Sequence, residues 1–108
     1  MLNDLKLLLG IDLGDSSMDD KLKLIISATT ARLRVLLGGV NPTESLDYII
    51  REVSVIRFNR IGSEGMKSHT VEGETQQFVD SDFDGYADDI RAFLETQKVN
   101  AKGRVRFL

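Results

Sequence analysis

Apolar positions recur along this chain at helical spacing, and glycines interrupt them. Leu2 to Leu9 predicts a short helix, with Asn3 as its cap and Leu5, Leu8 and Leu9 on one side. Gly10 ends it, because glycine alone takes the left-handed conformation without penalty. Ser16 or Ser17 is placed to cap the next helix, with Asp19 and Asp20 in its first turn, where the helix dipole favours negative charge. Its stripe is Leu22, Ile25, Ile26, Thr29, Leu33 and Leu36, and Gly38-Gly39 closes it.

Asn41-Pro42-Thr43-Glu44 predicts a further start. Asn41 caps, Pro42 stands at the first helical position, and Glu44 reaches back. This helix runs to Arg60 or Ile61. One apolar face carries Leu46, Ile49, Ile50, Val53 and Ile56, while Tyr48, Val55 and Phe58 lie on roughly the opposite side. A surface helix of a monomer needs one apolar face. Two faces imply a central buried helix or a helix that also meets a neighbouring subunit.

The period changes at Gly62. Residues 62–80 alternate loosely, with Gly73 as a turn, and predict a loop or short β-hairpin. An acid-rich run from Asp80 to Asp89 leads into a last helix from near Asp84, carrying Tyr86, Ile90, Phe93, Leu94 and Gln97. Lys98 to Leu108 is a basic tail. The alternation in Val105-Arg106-Phe107-Leu108 suits an added strand as well as disorder. The expected fold is therefore mainly α: a small helical bundle with a loop or hairpin inserted before the last helix. Residues 1–97 form the domain, 62–80 its protrusion and 98–108 the tail.

Composition narrows the function. The chain has 108 residues, 42% hydrophobic and 29% charged, which suits one globular domain. Its net charge of -3 argues against a dedicated DNA-binding domain, which carries a basic face. There is no cysteine, and His69 is the single histidine, so disulfides, Cys-type zinc sites and His-rich metal cages are excluded. No apolar run is long enough to span a bilayer, and the start of the chain lacks the layout of a signal peptide. An intracellular origin is expected.

Asp80-Ser81-Asp82-Phe83-Asp84-Gly85-Tyr86-Ala87-Asp88 matches the front half of an EF-hand loop. Its twelfth position is Arg91 where a bidentate glutamate belongs, and no helix leads in. The favoured reading is a helix N-terminus, with Asp82 or Asp84 capping and Asp88 and Asp89 complementing the dipole. Gly62-Ser63-Glu64-Gly65 is not a nucleophile elbow, and Ser63 and His69 have no triad spacing. No catalytic, cofactor or metal residue is assigned, and no enzyme activity is expected.

The order of these pieces resembles the small head–tail connector (head-completion adaptor) proteins of tailed bacteriophages. Leu5-Lys6-Leu7-Leu8-Leu9-Gly10-Ile11-Asp12, then an acidic loop and Asp19-Asp20-Lys21-Leu22-Lys23-Leu24-Ile25-Ile26, is similar to their opening. Arg57-Phe58-Asn59-Arg60-Ile61-Gly62-Ser63-Glu64-Gly65-Met66-Lys67-Ser68 is the more specific match, and it resembles members from prophages of Gram-positive bacteria.

The resemblance implies a structural subunit without catalysis or cofactor. It would form a ring under the portal, dodecameric like the portal. The ring would extend the exit channel for double-stranded DNA without sequence-specific binding. It would also seat the next head-completion or tail protein. The subunit would stand in the host cytoplasm before assembly and at the virion head–tail interface after it, away from any membrane. Expected interface residues are Tyr48, Val55, Phe58, Ser63, Glu64, Met66, Lys67, Val105 and Phe107. The alternative is a small helical binding module, weakly calcium-binding or regulatory.

Overall fold

The computed structural model describes residues 1–61 and 78–106, with side chains through Lys98. It is a mainly α bundle. Helix α1 spans Leu2–Leu9, α2 Asp19–Leu36, α3 Asp47–Ile61 and α4 Ala87–Arg106. Single 3-10 segments, Glu44–Leu46 and Asp80–Tyr86, lead into α3 and α4. No strand occurs among the described residues. The expected hairpin falls largely on residues 62–77, outside the described residues.

Helices α1 and α2 end alike. Gly10 has φ 74°; its N–H donates to the Leu7 carbonyl, and that of Ile11 donates to Lys6 at 2.8 Å. Gly38 has φ 72°; its N–H donates to Val35, and that of Gly39 donates to Arg34 at 2.9 Å. This paired pattern satisfies the last carbonyls of each helix and reverses the chain.

The helix starts differ from the expectation. Met18, not Ser16 or Ser17, flanks the start of α2, and no side chain caps it. The serines belong instead to a turn in which Asp15 Oδ1 accepts from the Ser17 amide at 2.9 Å. Asn41 and Pro42 precede the helical region. Thr43 is extended, and a 3-10 turn intervenes before α3 begins at Asp47.

The core joins Leu33 and Leu37 of the α2 end to Leu46, Ile49, Ile50 and Val53, with Phe83 and Ile90 closing it from the last turn and helix. Leu5, Leu22 and Ile25 are buried at the other end of the bundle. Each such side chain contributes about 1.5–3 kcal/mol on burial. In the α2 stripe, Leu22, Ile25, Thr29 and Leu33 are buried, while Ile26 and Leu36 stand half-buried at its margin. Leu37, just beyond the helix, is buried instead.

Three further expectations are corrected. Leu8 of α1 is 59% exposed, and only Leu5 of its expected face is fully buried. Ile56 is also exposed. The buried arc of α3 runs through Ile49, Ile50, Val53, Ser54, Arg57 and Ile61, and Ile56 lies at its edge. Finally, α4 continues to Arg106, so the backbone is helical over residues 98–106, where a strand or a disordered tail was expected.

Candidate functional site

Arg57 follows Val53 by four residues and Ile50 by seven, which places it in the middle of the α3 apolar arc. Its side chain is 1% exposed. A buried guanidinium is costly unless its donors are satisfied. Here Nε donates to Asp82 Oδ2 at 3.0 Å, Nη1 to Thr29 Oγ1 at 3.2 Å and Nη2 to the Val79 carbonyl at 3.3 Å. The rings of Phe78 and Phe83 each lie 5.3 Å from its central carbon, within cation–π range.

Asp82 is shared. Arg60 donates to both of its oxygens, at 3.1 Å from Nη1 and through a second contact from Nη2. Burial pushes the Asp82 carboxyl up, but the hydrogen bonds and charges of Arg60 and Arg57 outweigh that and hold it below the usual carboxylate range. The cluster ties α2, the end of α3 and the turn before α4 together. It therefore pins both chain ends from which residues 62–77 depart.

Two of the remaining acids of the EF-hand-like run, Asp80 and Asp88, are also engaged. Asp80 forms a two-point pair with Arg32, both contacts at 2.7 Å, and this hydrogen bonding lowers its pKa. Asp88 pairs with Arg91 at 3.0 Å. Asp82 caps nothing; it turns inward to the arginines, and no side-chain cap is formed at this helix start. Among the described residues, no three acidic or histidine side chains gather to hold a metal ion.

A second polar seam joins α3 to α4. The Tyr48 hydroxyl donates to Asp89, and that of Tyr86 to Glu52 at 2.5 Å. The two rings meet edge to face, with centroids 6.2 Å apart. The bond to Asp89 pushes the Tyr48 hydroxyl up to about 12, and burial, with the bond to Glu52, does the same for Tyr86. Of the expected interface residues, Tyr48 thus has partners in its own chain, while Val55 and Phe58 are half-buried along α3. Val105 falls on the backbone of α4. Ser63, Glu64, Met66, Lys67 and Phe107 lie outside the described residues.

Sequence reasoning missed the cluster. Its signal was an arginine at a core position of α3 with acids waiting in the Asp80–Asp84 stretch. It also missed Lys6, which is buried, forms an ion pair with Asp19 at 2.7 Å and donates to the Leu13 carbonyl at 3.3 Å. That contact seats α1 on the start of α2.

This is a chain with a tightly pinned frame and no clustered chemistry among its described residues. The sequence model of the family described as "Phage gp6-like head-tail connector protein" matches residues 1–93. The chain belongs to that family. The match spans all four helix starts, including the Arg57–Asp82 cluster. Nothing matched among curated proteins or among solved structures. The family is one of structural connectors rather than of known enzymes. In this connector, no described helix is long and apolar enough to cross a membrane.

Proposed function

We propose that this connector is a ring-forming subunit seated beneath the phage portal. Repeated copies would extend the DNA exit channel and offer a seat to the next head-completion or tail protein. The family match over residues 1–93 carries this reading. The ring is dodecameric, following the portal, and the subunit waits in the host cytoplasm until the head is filled. Val55 and Phe58 of α3, the segment holding Ser63, Glu64, Met66 and Lys67, and the chain end with Val105 and Phe107 supply contacts to neighbours.

Two features support it. The chain carries a net charge of -3, which suits a channel wall that lets DNA slide without gripping it. Leu7 and Leu8 stay 65% and 59% exposed on α1, apolar surface that the isolated subunit leaves unused. A calcium-binding reading has less support, because Asp80, Asp82 and Asp88 are already paired with arginines.

The test is electron microscopy of the protein mixed with assembled portal. Added rings of density below the portal are expected. Failure to bind an assembled portal overturns the reading.

A further inference from the structure

A groove opens where the entry to α3 faces α4. Leu46, Tyr48, Asp89, Ala92, Phe93 and Gln97 line it. Leu46, Ala92 and Phe93 are its apolar lining, Thr43, Ser45 and Thr96 add hydroxyls, and the Asp89 carboxylate, which accepts from the Tyr48 hydroxyl, sits in its wall. Its α3 side is acidic: from Val35 to Ile50 there is no lysine or arginine, while Glu44 and Asp47 stand in that stretch; on the α4 side Arg91 and Lys98 pair with Asp88 and Glu95. The end of the chain has the opposite character. From Val99 to Leu108 there are three basic residues (Lys102, Arg104, Arg106), no acid, and the apolar Val99, Val105, Phe107 and Leu108. The charge on the α3 side of the groove and that of the chain end are complementary.

The chain cannot satisfy this match by itself. Helix α4 runs from the groove wall to Arg106 without a break. At 1.5 Å per residue, Arg106 stands about 20 Å along the axis from Phe93. The basic end is carried away from its own groove, so another copy must supply the one that fills it.

We propose that the basic C-terminal end of α4 in one copy docks in the groove between the α3 entry and α4 of the next copy. The contact is head-to-tail. Each copy offers one groove and one end, and such contacts close into a ring when the rotation per step divides the circle. The docked end covers the half-buried Phe93, and its cations meet Asp89, Glu44 and Asp47. This inference rests on the ring reading and specifies which surfaces form the ring.

The absence of cysteine from the chain allows a direct test. Two full-length variants, Ala92→Cys in the groove and Val105→Cys at the chain end, are mixed on assembled portal and treated with a short bismaleimide. A cross-link between the two variants, absent when either is present alone, is expected. Arg104→Glu with Arg106→Glu should weaken assembly about tenfold or more while leaving the helical circular dichroism and the melting temperature unchanged. Adding Ala92→Lys to those reversals should restore part of the loss.

Rings that form without the mixed cross-link overturn this inference and leave the ring reading standing. Cross-links of either variant to itself alone show an isologous contact and also overturn it. No binding to portal at all overturns both.

Discussion

Arg57 Nε lies 3.0 Å from Asp82 Oδ2, and the two residues are separated by 25 positions in sequence. Both side chains are almost completely buried. Breaking a buried pair leaves the survivor's charge without compensation. Asp82→Asn, which strands the buried Arg57 guanidinium, should therefore destabilise the fold by about 3–5 kcal/mol, measured by urea denaturation, whereas Arg57→Met should cost less because Arg60 still pairs with Asp82. The double variant Arg57→Met with Asp82→Leu should recover a large part of that loss, because no fully buried charge is left: Arg60 loses Asp82 too, but its side chain is 33% exposed and can turn to water. A double variant as unstable as the two single losses summed would contradict this account.

The same carboxylate sets an acid limit. Its pKa is lowered in the folded protein, so the folded state holds fewer protons than the unfolded chain near the ordinary carboxylate value of about 3.9. Its contribution is present above that value and is lost as pH falls through the lower, folded one. The stability gap between the natural protein and Asp82→Asn should be widest near neutral pH and should narrow below about pH 4. Denaturation curves for both proteins at several pH values check this.

The chain has two tyrosines and no tryptophan, so its tyrosinate absorbance reports on Tyr48 and Tyr86 alone. Both are pushed up to about 12. In the folded protein the alkaline titration should sit well above the free-phenol value of about 10, and Asp89→Asn should move one of the two groups back down. A raised phenol value adds stability that is present below about pH 10 and lost as pH rises through the folded value. Titration of both groups near 10 in the folded state would disprove the seam.

Gly10 and Gly38 have open space where a Cβ would stand. The cost of Gly10→Ala or Gly38→Ala is therefore backbone strain at positive φ, about 1–2 kcal/mol each, without a steric clash. Thermal melts measure it. Ile56→Ser, at an exposed position, should change stability by about 0.5 kcal/mol or less, against about 2–5 kcal/mol for Ile49→Ala in the core.

Much of the frame is readable from the residues. The glycines at 10 and 38 mark helix ends because backbone sterics allow few alternatives there. Leu22, Ile25, Thr29 and Leu33 are buried because one repeat, 3.6 residues, governs them throughout. The start of α3 is less legible: Asn41 and Pro42 carry good capping chemistry, yet the chain spends those residues on the turn from α2. Ile56 misleads because hydrophobicity alone ranks it above Arg57. The reversal depends on Asp82 arriving from 25 residues away, and no local pattern encodes that. The length of α4 was underestimated for a similar reason. Alternation in its last residues suits a strand, whereas the backbone over residues 98–106 continues the helix already begun.

The Arg57–Asp82–Arg60 cluster also bears on how this protein can vary. It fastens the chain just before residue 62 to the chain just after residue 77, so the described helices are held together by contacts of their own. The sequence demand of the frame therefore falls on Arg57, Arg60 and Asp82, the residues that hold the end of α3 to the turn before α4.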